Sequence, residues 1–316
     1  MKPTRNRWIR LGHRGVWALR PLGRRVPGQW EPTLPPSTRL TLPGRGEVSV
    51  RVAPGPPGSS TVLLLHGVTW SCDINYACVL QELAEQHTVI AADHRGHGGG
   101  LPATGRFTMG DLADDAVAVL DALDVESAIV VGFSLGSLTA LHLAVRHPER
   151  VDGLVLTAGG LALRSSRLER LMMHLPGIVF GLLGRSRLGR SVGARYFGLN
   201  RRDPVFRERW PWLRAELERN QAGAIAGSLR AAVKHDLRGQ VDALRSLPTT
   251  VVVHEHDLAL PTFLQREMAV ELEADVVSIA TDHEAPLSHP EVYRDAVLEA
   301  VANVEGRAFP RTAAAG

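Results

Sequence analysis

"IVVGFSLGSLTA" (residues 129–140) joins an apolar run to a serine set between two glycines and then to a helical pattern. Its reading decides the fold. Ser134 is either an ordinary turn serine or a nucleophile raised on a sharp strand-to-helix turn, the G-x-S-x-G arrangement. The motif alone does not choose. The second reading requires a strand before it, a helix after it, an oxyanion loop upstream, and an acid and a histidine downstream in that order.

The flanking sequence supplies these parts. "TVLLLHG" (61–67), "HTVIAAD" (87–93), "SAIVVGF" (127–133) and "VDGLVLTAG" (151–159) are short continuous apolar runs, the pattern of strands buried on both faces. Between them a helix is expected at about 76–86. "MGDLADDAVAVLDAL" has helical spacing with Asp111 at its start, and the segment after Ser134 runs helically to a stop before Pro148. The alternation pauses for some 85 residues and resumes with "PTTVVVHEHD" (248–257), a helix from about 262, "DVVSIA" (275–280) and a helix from about 290. Alternating strands and helices predict an α/β, doubly wound, mostly parallel sheet. The expected organisation is an Arg/Pro/Trp-rich arm over 1–46, a core over 47–159 and 247–304, a helical cap over 160–246 and a tail over 305–316. The first regular strand is expected at "EVSVRV" (47–52).

Within this frame Ser134 sits at a strand end with a helix N-terminus behind it. Gly132 and Gly136 are required there because side chains would collide as strand and helix close on each other. The Leu135 N–H would face the oxygen of an attacked carbonyl. A serine needs a base. His283 follows the last strand by a short loop and is the candidate; His289, before Pro290, reads as a capping or surface residue. The imidazole needs a carboxylate to orient it. Asp257, just past a strand end, is preferred over Glu255, Asp236 and Asp242. The second oxyanion donor is the N–H of Val68, with His66 and Gly67 supporting its loop and His66 itself a packed histidine. No metal is expected at His66, His94, His97 or His283, and the chemistry calls for no cofactor.

"LLLHGVTW", "VIAADHRGHGGG", "VVGFSLGS", "VVVHEHDLALP" and "TDHEAPLSHPE" resemble, in order, the motifs of the α/β-hydrolase superfamily, especially lidded serine esterases of actinobacterial type with a D-x-R-G-H-G loop. The resemblance covers roughly residues 47–160 and 246–304, and the order Ser134, Asp257, His283 is the superfamily's. It implies hydrolysis of a carboxylic ester through an acyl-enzyme. A C–C bond hydrolase or cofactor-free perhydrolase would use the same triad, and a non-catalytic binding protein is the reading from another class. A serine at position 134 argues against the dehalogenase and epoxide-hydrolase branches, which use aspartate. The loop Asp93–Gly98 is read as a structural turn, with His94 as an additional residue.

Charge is uneven over the 316 residues, whose net value is +3. Residues 1–30 hold eight Lys/Arg and no acid, and residues 161–245 hold seventeen against seven acids, so the rest is acidic. One reading is an arginine-rich solvated surface that neutralises an acidic body. The other is an arm and cap that share a basic face for an anionic membrane, at ~1 kcal/mol per basic residue. "LMMHLPGIVFGLLG" (171–184) suits an acyl pocket or an apolar cap face. No nucleic-acid module is evident, and the oligomeric state stays open. Cys72 and Cys78 offer no disulfide framework or metal spacing, and the start has no continuous apolar signal region, so the expected location is cytoplasmic.

Overall fold

A computed structural model describes residues 30–163 and 204–309. Eight strands form one sheet: β1 (Ser37–Leu42), β2 (Gly46–Ala53), β3 (Thr61–Leu65), β4 (Thr88–Ala92), β5 (Ala128–Phe133), β6 (Val151–Thr157), β7 (Thr249–His254) and β8 (Asp275–Ile279). Their spatial order is β1-β2-β4-β3-β5-β6-β7-β8. β1–β2 and β2–β4 pair antiparallel, and every later pair is parallel.

Strand periodicity divides the core into two faces. Leu63 and Leu65 of β3, with Val130 of β5 and Val251 and Val253 of β7, face the helices Met109–Ala122 (α3), Leu135–Arg146 (α4) and Thr262–Glu271 (α8). Val62, Leu64, Ile129, Val131 and Val252 face the other way, onto Cys72–Tyr76 (α1), Leu80–Leu83 (α2), the short helix Ala285–Ser288 (α9) and the C-terminal helix Pro290–Ala308 (α10). Strands covered on both sides cannot alternate apolar with polar, hence their unbroken apolar sequence. Helix α3 starts with a capping box in which Thr108 and Asp111 bond each other's backbone.

Three expectations need correction. The sheet begins ten residues earlier, because "STRLTL" (37–42), placed above in the arm, pairs along its whole length with β2. The helix expected at 76–86 is two short helices, α1 and α2. Helix α10 runs on to Ala308, into the supposed tail, because Val301 and Val304 are buried against the sheet. Of the cap, residues 160–163 and 204–246 are described, with the helices Pro204–Glu218 (α5), Ala222–Val233 (α6) and Val241–Leu244 (α7), and its two ends meet where Leu237 N–H donates to Leu161 O at 2.8 Å. The basic arm through residue 29 and "LMMHLPGIVFGLLG" lie outside the described residues. Among the described residues no helix is long and apolar enough to cross a membrane.

Candidate active site

The parallel strands point their C-termini to one edge, where crevices form. Register aligns Leu65 of β3 with Gly132 of β5, Gly132 with Leu156 of β6, and His254 of β7 with Ile279 of β8. The loops that leave this edge, with the ends of the strands and helices they join, carry the candidate residues.

Ser134 is the turn between β5 and α4. Its φ of 53° is left-handed, a conformation that a residue with a Cβ holds only when its surroundings enforce it. They do so here. Ser134 N–H donates to Thr157 O at 2.9 Å, and the Ser137 hydroxyl lies 2.7 Å from both Gly132 O and Thr157 O, tying the first turn of α4 to β5 and β6. A Cβ on Gly136 would fall 1.9 Å from Leu65 O, and one on Gly132 2.5 Å from Gly136 O. Both conflicts are with backbone, so neither can be relieved by a rotamer. Gly136→Ala is expected to cost about 3 kcal/mol or more, read as a lowered midpoint in urea unfolding. A variant as stable as wild type would mean that β3 and α4 separate freely.

A serine at a helix N-cap ordinarily bonds its own helix. Ser134 does not. Its Oγ lies 3.1 Å from Nε2 of His283, whose Nδ1 is 2.8 Å from Oδ2 of Asp257. Asp257 accepts the Nδ1 hydrogen, which leaves the Nε2 lone pair facing the serine hydroxyl. The other carboxylate oxygen accepts from the N–H groups of Ala259 and Leu260 at 2.8 Å each. The carboxylate is fully buried, while His283 keeps partial access to solvent and packs its ring 5.1 Å from that of Phe133. Of the rejected candidates, Glu255 pairs with Arg266, Asp236 with Arg238, Asp242 with Arg245, and the His289 ring with Ser288.

The loop after β3 lies against the serine: a Cβ on Gly67 would touch Phe133 and sit 3.4 Å from Ser134 Cβ. Neither Val68 N–H nor Leu135 N–H finds an acceptor among the described residues. The peptide that carries Val68 N–H has the Gly67 carbonyl at its other end. His66 Nδ1–H donates to that carbonyl at 2.7 Å, while His66 Nε2 accepts from His94 N–H at 2.9 Å. His66 therefore orients and polarises the very peptide whose N–H is the donor candidate, a specific form of the loop support expected of it. Asn75 Oδ1 accepts Gly67 N–H at 3.0 Å.

Sequence reasoning missed Asn75, Ser137 and Gln265. Gln265 Nε2 donates to Asp257 Oδ2 at 3.1 Å, and its Oε1 accepts His254 N–H at 2.9 Å. A glutamine on the same helical face as Met268, Ala269 and Leu272 was the available signal.

Burial holds the histidines behind this loop neutral. It pushes His94 down to about 3 and His97 down to about 4, and takes His66 well below its usual range with help from His94 and His97. A histidine depressed in the fold adds stability that is complete above its unfolded value near 6.5 and is lost as pH falls toward the folded value. Asp93, raised to about 6 by burial, runs oppositely and partly masks this in wild type. His97→Phe should therefore lose less stability than wild type between pH 7 and 4.5, by about 2–3 kcal/mol. Parallel pH–stability curves would show that His97 is not held neutral.

Burial also raises both thiols, Cys72 well above its ordinary value and Cys78 to about 12. They are inert packing groups.

A family model described as the alpha/beta hydrolase fold matches residues 60–290. The chain belongs to the α/β-hydrolase family. It is similar to the provisionally named carbamate hydrolase RutD of Caulobacter sp. (strain K31), 28% identical over 261 residues, or 77% of this chain and 92% of that protein. It is 43% identical over 101 residues to the 2-hydroxymuconate semialdehyde hydrolase of Pseudomonas sp. (strain CF600), a match of 30% of this chain and 35% of that protein's length. Among solved structures, the enol-lactonase of Burkholderia xenovorans LB400 superposes with a TM-score of 0.71 at 20% identity, over 84% of this chain and all of that one. This α/β-hydrolase is a hydrolytic enzyme.

Proposed function

We propose that the enzyme cleaves a carboxylic ester with an apolar acyl group by acylating Ser134. The observation that carries the reading is the His283 imidazole held between Ser134 Oγ at 3.1 Å and Asp257 Oδ2 at 2.8 Å. Ser134 Oγ attacks the ester carbonyl carbon as His283 Nε2 takes its proton. The carbonyl oxygen gains the negative charge and is met by the Val68 and Leu135 N–H groups. His283 then returns the proton to the leaving alcohol, which departs. Water, activated by the same nitrogen, attacks the acyl-enzyme and releases the acid. Asp257 stabilises the imidazolium formed at each stage.

The apolar acyl group is supported by the side chains beside the serine. Val68, Leu135 and Leu138 belong to one apolar cluster with Leu163, Leu260 and Ala231 of cap helix α6, so the space where core and cap meet has an apolar wall. A fluorescent fluorophosphonate tests the nucleophile: wild type should label and Ser134→Ala should not. Labelling that survives the substitution, or a folded wild type that never labels, removes the reading.

A second reading, C–C bond hydrolysis with the same residues, is favoured by the 43% identity to the 2-hydroxymuconate semialdehyde hydrolase. Turnover of 2-hydroxymuconate semialdehyde beside an ester series of graded acyl length separates the two.

A further inference from the structure

We infer that Asn220, just beyond cap helix α5, is a positioning residue for the oxyanion peptide, so that the cap contributes to transition-state stabilisation as well as roofing the site. This rests on the serine-hydrolase reading above and assigns a residue that it does not contain.

Asn220 is buried and joins two loops of the core. Its Oδ1 accepts Gly98 N–H at 2.9 Å, and its Nδ2 donates to Thr69 O. Both partners are backbone groups of fixed polarity, so the orientation of the amide follows from them. Thr69 directly follows Val68 and has a φ of 70°, a left-handed conformation that a β-branched residue rarely adopts. Such a residue keeps its conformation only while its neighbours hold it.

The segment 67–69 is thus fixed at both ends. At Gly67 the holders are core side chains, Asn75 on the N–H and His66 on the carbonyl. At Thr69 the holder is Asn220, from the cap. Between them lies the Val68 N–H, which has no acceptor of its own among the described residues. An oxyanion donor acts by being aimed before the charge develops, so a clamp on its flanks acts on the transition state and not on the bound ester.

Other contacts dock the same stretch of cap without touching residues 67–69. Gln221 N–H donates to Gly96 O at 2.8 Å, Ala103 N–H donates to Gln221 Oε1 at 3.3 Å, and Ser71 Oγ donates to Glu216 at 3.2 Å. These allow the two bonds of Asn220 to be separated. Asn220→Asp keeps an acceptor for Gly98 N–H but sets a carboxylate oxygen against the Thr69 carbonyl, while the cap stays docked.

The test is Asn220→Asp in the full chain, assayed on a p-nitrophenyl ester with rates normalised to titrated active sites. The expected result is a kcat ten- to a hundredfold below wild type and a KM within threefold. The affinity for a trifluoromethyl ketone, which forms a tetrahedral adduct, should fall by the same factor as kcat. A merely structural role would lower the titratable sites and leave kcat per site and inhibitor affinity intact, which overturns the inference. So does a loss expressed in KM alone. If Asn220→Asp does not fold, Asn220→Ser, too short to span both partners, is judged by the same readouts. A wild type that neither turns over esters nor labels at Ser134 removes the hydrolase reading and this inference together. An active, labelling wild type with an unaffected Asn220 variant removes this inference alone.

Discussion

Replacing Ser134 with alanine is expected to lower kcat by about 10⁴- to 10⁶-fold, with KM and stability nearly unchanged. The structure separates the two roles a residue at this corner could have. Backbone geometry makes the turn: Ser134 N–H is bonded to Thr157 O, and the Ser137 hydroxyl ties the same corner to Gly132 and Thr157. Ser134 Oγ takes no part in capping α4, and its polar contact is His283 Nε2. Alanine keeps the Cβ and therefore the same tolerance of φ 53°, so the loss of one partly exposed hydrogen bond should change the unfolding free energy by no more than about 1 kcal/mol. The loss of the attacking oxygen, by contrast, removes the proposed acyl-enzyme route. Residual turnover would come from the proposed oxyanion donors and from binding alone. The check is steady-state kinetics on a chromogenic ester beside a urea melt. A variant with a hundredth or more of wild-type kcat would mean that the nucleophile lies elsewhere.

What could be read from the chain beforehand depended on whether a residue's partner was encoded nearby. Strands β3, β4 and β5 were legible because burial on both faces demands continuous apolar runs. β1 was not. Its side chains are mostly exposed, so "STRLTL" carries no burial signal, and what holds it is a backbone ladder to β2. The candidates Ser134, Asp257 and His283 were legible because each follows a strand end in a fixed chain order. Their supports were not. Asn75 meets a backbone N–H eight residues away, and Asn220 meets a carbonyl 151 residues away. Backbone groups are the same at every position, so no residue type advertises such a partner. The stretch Glu216–Gln221, at and just beyond the end of cap helix α5, shares the difficulty, since its contacts with residues 69–71 and 96–98 join distant loops through polar atoms. Gln265 lay in between: a polar side chain on an apolar helical face was visible, though not the group it served.

Asp257→Asn should cost about 10⁴-fold in kcat near neutral pH, although it changes one atom and almost no volume. The reason is the polarity of its surroundings. Among the described residues every partner of the carboxylate is a donor: Ala259 N–H and Leu260 N–H on Oδ1, Gln265 Nε2–H and His283 Nδ1–H on Oδ2. An asparagine must present an NH₂ group at one of the two positions. Placed toward Oδ1, it opposes two amide hydrogens of a tight turn. Placed toward Oδ2, it opposes the Gln265 amide and forces His283 to turn its Nδ1 lone pair inward. The ring hydrogen then sits on Nε2, pointing at Ser134, and the imidazole can no longer accept the serine proton. The side chain is fully buried, so water cannot repair either mismatch. The loss should fall on kcat and kcat/KM alike, because the bound ester does not touch Asp257 in the proposed reaction. It should shrink at high pH, where a hydroxide-assisted route bypasses the base. Asp257→Asn retaining a tenth of wild-type kcat at pH 7 would show that another group orients His283. The Gln265→Leu variant supplies a graded comparison: it removes one of four donors and leaves the carboxylate, so its defect should be far smaller than that of Asp257→Asn.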